Sequence, residues 1–238
     1  MAELLLETTE QLENITDFNN LPSSCYVSAF TPKTTKIDIG KETGLEEKFG
    51  GKVPFFIEGE EWPLSPNGSK MTFFCQLMDL RKKNIILYRV FIDISEYSDY
   101  CDFFISKIEL NKENLKKQIR LELLDSTTES FDAHKITGWN HHYELRSQEF
   151  IMKELDINID YYHKNYKIMH DSYYDNEFAP HSGIKVGGTP CFTQSFDEKM
   201  VNTYSFLQLT DQSILPHSWG DSGIGHISED CKLYMDCC

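Results

Sequence analysis

The feature that most constrains this chain is an internal repeat. "FGGKVPFF" is followed after a spacer by "MTFFCQL", and later "VGGTPCF" is followed by "TYSFLQL". Gly50-Gly51, Pro54, Phe74 and Gln76 thus mirror Gly187-Gly188, Pro190, Phe206 and Gln208 in the same order. The physical sense is direct. Gly-Gly permits positive φ or a close backbone approach, Pro fixes an extended exit, and Phe-x-Gln-Leu enters a strand. Phe and Gln two apart share one face of that strand, so each copy carries a Gln aimed at the interior. Its amide then needs partners, and the backbone freed by the irregular turn supplies them. Two such copies predict one fold unit with a pseudo-two-fold, not two independent domains.

The rest of the chain adds strands more than helices. "CYVSAFTPK" reads as a short strand ended by Pro32. "MTFFCQLMDL" and "IILYRVFIDIS" read as apolar strands, the second central. "KKQIRLELLD" alternates, with Ile119, Leu121 and Leu123 on one face, and "CKLYMDCC" alternates again. The stretch "KFGGKVPFFIEGEEWPLSPNGSK" has too much Gly and Pro for regular structure. Helical spacing marks residues 3–15 and "RSQEFIMKELDINIDYYHK", where Phe150, Ile151, Leu155 and Ile159 share a face. With no βαβ rhythm, the expectation is an α+β fold: an internally duplicated antiparallel sheet core with a few flanking helices. The expected organisation is a single domain. It has an N-terminal helix and strand over 1–44, a first half-repeat over 45–130, a helical connection over 131–178 and a second half-repeat over 179–238.

Charge and cysteine usage limit the function classes. With 23 Lys and Arg against 38 Asp and Glu, the formal charge is −15, and phosphate-rich partners need clustered cations. Nucleic acid is therefore excluded as a main partner. No apolar run approaches a membrane span, and "MAELLLETTEQLENI" lacks the basic start of a secretory signal. Seven Cys, several inside apolar stretches, point to reduced thiols and a cytoplasmic protein.

"WGDSGIGHIS" contains Gly220-Asp221-Ser222-Gly223, the spelling around the nucleophile of chymotrypsin-like proteases. Such an enzyme needs a His and an Asp upstream and a long barrel after the serine. The residues after Ser222 are too few, and only "FDAHK" resembles a His context. The string reads instead as a Gly-bracketed turn in which Asp221 caps backbone amides. His141, His142 and Glu144 of "WNHHYE" read as a solvated loop. Asp171, Asp175 and Glu177 lack the Gly and final Glu of a calcium loop. Cys237-Cys238 with His226 lacks zinc spacing. No metal and no cofactor are expected.

The same residues carry a resemblance. Lys48-Phe49-Gly50-Gly51 with Pro54, Trp62-Pro63, Phe73 with Gln76, Gly187-Gly188-Thr189-Pro190 with Gln194, and Gly220-Asp221-Ser222-Gly223 follow the order of the YwqG-like family. The chain resembles that family over roughly residues 45–238. Two departures stand out: Gly-Gly-x-x-Pro in the first half is one residue longer than the pattern, and "LRKKNIILYRVFIDI" lacks the Leu-Pro and Gly turn. The resemblance implies a duplicated antiparallel fold and no established reaction. Some relatives sit beside toxin genes, which implies protein binding or immunity.

Two readings follow. One is a binding protein without chemistry whose partner is another protein. The other is a small-molecule binder or enzyme working in a polar cleft where the two Gly-Gly loops meet. The cleft would be built from Gly50, Gly51, Trp62, Gln76, Gly187, Gly188, Gln194, Gln208, Asp221 and Ser222. The absence of a nucleophile–base pair favours the first, with no catalytic residue assigned.

Overall fold

The computed structural model describes residues 21–38, 41–79, 84–93, 103–120, 131–157, 167, 170–192, 205–210, 223–228 and 230–236. After a 3-10 turn at Ser23–Cys25 come β1 (Tyr26–Ile37), β2 (Lys48–Phe49), β3 (Phe56–Ile57), β4 (Thr72–Met78), β5 (Ile86–Ile92) and β6 (Phe103–Glu109). Helix α1 (Lys112–Lys116) and β7 (Gln118–Ile119) close the first half. The second half holds β8 (Ala133–Leu145), helix α2 (Gln148–Glu154), β9 (Lys185–Gly187), β10 (Ser205–Leu209), β11 (Ile224–Ser228) and β12 (Leu233–Asp236).

Ten of these strands form one antiparallel sheet in the order β12-β11-β10-β9-β1-β8-β2-β4-β5-β6. The order runs alike in both directions from the central β1–β8 pair. Outward from β1 lie β9, β10, β11 and β12, and outward from β8 lie β2, β4, β5 and β6. The first strand of each half therefore pairs with the second strand of the other: Phe30 with Val186, and His134 with Phe49. β1 and β8 pair from Tyr26↔Leu145 to Ile37↔Ala133, with one bulge between Lys33 and Thr34.

The expected α+β class is corrected by this arrangement. The sheet is neither flat nor flanked by helical layers; it curls into a nearly closed barrel in a β-rich fold. Phe103 and Ile105 of β6 pack in the same cluster as Cys231 and Leu233 at the far end of the order, and Lys107 hydrogen-bonds the Cys231 thiol. The stretch expected as a helical connection opens with the 13-residue strand β8. Its mixed sequence, AHKITGWNHHYEL, hid the strand because one face turns to solvent over much of its length. Pro32 does not end β1 but sits inside it opposite Trp139. β9 pairs only with Ala29 and Phe30, so β1's other edge at Pro32 needs no donor from this ladder.

Alternation divides the sheet. Phe49, Leu77, Val90, Val186, Leu207 and Ile227 turn into one apolar cluster inside the barrel. Lys48, Gln76 and Arg89 turn the other way, beneath the segment 50–71. There Phe56, Phe73 and Phe91 pack together with Trp62 and Met71. Arg89 is held under this cover by Phe55 O, the Glu60 carboxylate and Ser106 Oγ, with the Phe56 ring 4.9 Å away. Helix α2 is capped by Ser147, whose Oγ accepts from Phe150 N. Residues 3–15, Ile159, Leu121 and Leu123 lie outside the described residues, as do Phe206's side chain and Cys101. Cys25, Cys75, Cys191 and Cys231 are free thiols. Among the described residues no helix is long and apolar enough to cross a membrane.

Candidate functional site

The repeated residues build two polar nodes, one in each half. In the first, the Lys48 ammonium donates to Glu42 Oε2 at 2.5 Å and to Val53 O at 2.7 Å. Glu42 also accepts from the amides of Lys52 and Val53. Gln76, opposite Lys48 across β2–β4, completes the node: its Oε1 accepts from Phe55 N at 2.8 Å, and its Nε2 donates to Gly44 O and Glu46 O.

The second node repeats this group by group. Lys185 donates to Glu144 Oε2 at 2.7 Å and to Thr189 O at 2.6 Å. Glu144 accepts from Thr189 N and His181 N. Gln208, opposite Lys185 across β9–β10, accepts from Cys191 N at 2.8 Å and donates to His181 O and Gly183 O. Lys48 and Lys185 are both 0% exposed. A buried ammonium is tolerated only with its charge paired and its protons placed, and each node does both. Burial pulls the Lys48 pKa below the usual lysine range, against the opposing pull of Glu42 and Glu46.

The glycines explain themselves in these nodes. Gly50 and Gly51 have φ of +65° and +91°, and Gly187 and Gly188 have +70° and +75°. A Cβ at Gly51 would strike the Glu42 carboxylate, and one at Gly188 would strike the Glu144 carboxylate. The Gly-Gly turn thus brings bare backbone against the acid that neutralises the lysine. The extra residue of the first copy is Lys52, whose amide also donates to Glu42.

The strands keep the two nodes apart. Val186 sits level with Phe30 of β1. Phe49 sits level with His134, which pairs with Lys36. From Phe30 to Lys36 is roughly 20 Å at the usual strand rise. Gly50, Gly51 and Gln76 therefore belong to one node and Gly187, Gly188 and Gln208 to the other, in place of one cleft joining them. Trp62 belongs to neither: its Nε1 donates to Met71 O at 2.7 Å and its ring packs on Phe56 and Phe91. Gln194, Asp221 and Ser222 lie outside the described residues.

Where the nodes differ, the second is the more open. The position of Phe55 is taken by Cys191, and that of Gly44 by His181. Cys191 is half-buried and His181 is exposed, whereas Phe55 and Gly44 are buried. Burial is the main influence on the Cys191 thiol and raises its pKa, the nearby Lys185 opposing. The thiol lies 3.4 Å from His181 O and 3.5 Å from Pro180 O. His181 is held below the ordinary imidazole range, first by burial and then by Lys185. Its Nδ1 accepts from Gly183 N at 2.9 Å, which fixes the neutral ring with its proton on Nε2. His142 Nε2 lies 3.2 Å from Glu144 Oε1. The Cys191 thiol is directed at the Pro180 and His181 carbonyls, and the Gly183 amide occupies the His181 Nδ1 lone pair through which the neutral ring would act as a base. Among the described residues no group of three or more His, Cys, Asp or Glu is arranged to hold a metal.

The reading of "WNHHYE" as a solvated loop is corrected here. These residues lie in β8, and Glu144 is buried as the acid of the second node. On the same strand, Tyr143 is 54% exposed. The His141 ring stacks on Phe30 at 4.9 Å and meets Tyr143 at 5.0 Å. This row of rings stands toward the Tyr26–Leu145 end of the central ribbon. Sequence reasoning missed both acids. Glu42 is one of several acidic residues in "KETGLEEKFGG", and Glu144 reaches its node from a different chain position than Glu42 does. The usable signal was the lysine standing two residues before each Gly-Gly.

No protein-family model matches the chain, and no curated protein matches it.

Proposed function

We propose that this chain is a non-catalytic binding protein whose partner is another protein. The observation that carries the reading is that the repeated polar residues are spent on internal bonds. Gln76 and Gln208 use both ends of their amides, and Lys48 and Lys185 are sealed with their acids. What remains for a partner is surface. The exposed rings of His141 and Tyr143 offer an aromatic anchor of the kind enriched at protein interfaces. A net charge of −15 favours a partner that presents Lys and Arg. The motif order resembles that of the YwqG-like family, and the setting of some relatives beside toxin genes favours a protein partner.

A second reading has its own support. His142, His181 and Cys191 rim the second node where the first has none of them, and such a rim suits a small polar ligand. One experiment separates the two. The protein is captured from native lysate, and the eluate is examined for proteins and metabolites. A protein retained by the wild type, lost with Tyr143→Ser, and bound again in purified form supports the first reading. A metabolite that co-purifies at one per chain and is lost with His142→Ala supports the second and overturns the first.

A further inference from the structure

We infer that the β1–β8 ribbon is an interaction surface between two self-recognising halves, and that the partner it fits is the complementary half of a second copy of this chain. The observation is the reciprocal exchange of first strands. β1 belongs to the first half in sequence but lies between β8 and β9 of the second; β8 lies between β1 and β2. Cross-half backbone bonds repeat the exchange. Gly188 N donates to Ser28 O, and Gly51 N donates to Phe131 O, each at 3.0 Å. Gly188 packs on Ala29 and Gly51 on Ala133. Each half thus closes the other's Gly-Gly turn while keeping its own lysine–acid–Gln node intact.

The barrel core is shared in the same way. Phe49, Leu77 and Val90 from the first half and Val186, Leu207 and Ile227 from the second form one cluster. Neither half can bury its share alone, and without the other half β2 and β9 would each present an open strand edge. Among the described residues every contact that joins the halves is noncovalent. The chain passes from one half to the other between Arg120 and Phe131, and residues 125–130, Asp-Ser-Thr-Thr-Glu-Ser, are all polar. A covalent connection between two complementary surfaces raises their effective concentration. The surfaces themselves are complementary with or without it.

The test uses the full chain with a protease recognition sequence inserted after Asp125. The folded protein is cleaved and passed through a sizing column at micromolar concentration. The expected result is one peak at the uncut position containing both fragments in equal amounts, separable only in denaturant. Isotope-labelled and unlabelled cleaved proteins are then unfolded together and refolded. Native mass spectrometry should show hybrids holding one labelled and one unlabelled half, near half of the total. A second full-chain variant, in which the recognition sequence replaces residues 125–130, gives the same readout should the insertion disturb folding. Fragments that separate on cleavage, or that refold without forming hybrids, overturn the inference.

Discussion

Lys48 and Lys185 stand at equivalent points of two separate nodes, each donating to a buried glutamate and to the carbonyl just before a proline. Val53 precedes Pro54 and Thr189 precedes Pro190. The lysine therefore fixes the backbone at the point where each covering loop leaves the sheet.

Breaking one node by removing its acid leaves a buried ammonium unpaired. Glu42→Gln is expected to cost about 3–5 kcal/mol, and Glu144→Gln a similar amount. Replacing Lys48 and Glu42 together by Met and Leu should cost much less than the single change. Chemical denaturation of the three proteins checks this, and equal losses in single and double variants would count against a charge-driven effect.

Gln76→Leu strands Phe55 N and the carbonyls of Gly44 and Glu46. An unpaired buried group costs about 1–3 kcal/mol, so the variant should melt well below wild type. Gln208→Leu should behave alike through Cys191 N, His181 O and Gly183 O. An unchanged melting curve for either would remove the structural role given to these amides.

At Gly188 an alanine meets both a left-handed backbone and the Glu144 carboxylate. Gly188→Ala is expected to lose roughly 1–3 kcal/mol. Gly138, with no atom within 4 Å of a built Cβ and no positive φ, is the control: Gly138→Ala should lose less than either node glycine.

Much of this was readable beforehand, and the reasons differ from residue to residue. The Gly-Gly-Pro and Phe-x-Gln-Leu strings announced the duplication because the turn needs φ values that side chains disfavour, and the strand needs an amide beneath it. The strands β4 and β5 were readable because Phe73, Phe91 and their neighbours are buried on both faces. β8 was not: His134, Lys135, His141 and Tyr143 look like a loop, because polar residues are tolerated wherever the ribbon faces water. The acids were hidden for another reason. Glu42 precedes β2 in a loop while Glu144 ends a strand, so the carboxylate is shared in space but not in sequence position.

His181 gives the fold a dependence on pH. Its native pKa lies below the ordinary 6.5 because burial and then Lys185 disfavour the charged ring. As pH falls below 6.5 the unfolded chain takes up a proton that the folded ring refuses, so stability present at neutral pH is lost through that window. Melting temperature should fall between pH 7 and pH 5, and His181→Gln should flatten that part of the profile. A profile of unchanged slope would assign the acid sensitivity elsewhere.

Thiol reactivity should follow burial. Burial pushes the Cys75 thiol far above its usual range, and Cys25 is also raised, chiefly by burial. Both should resist a thiol reagent in the native protein, whereas all seven cysteines should react in denaturant without reductant. Fewer than seven would reveal a disulfide or an occupied thiol. A serine-directed phosphonate should leave Ser222 unlabelled; labelling lost in Ser222→Ala would restore a hydrolase.

The exchanged first strands also set an order of events on the ribosome. β1 is made early, yet its partners β8 and β9 are made late, and Ala29 cannot meet Gly187 until most of the chain has emerged. The first half must therefore wait with β1 unmatched, holding an apolar sheet in the open. Pairings this distant in sequence close slowly, and waiting edges are where chains aggregate. Synthesis of this protein is thus expected to depend on chaperone occupancy of the nascent first half.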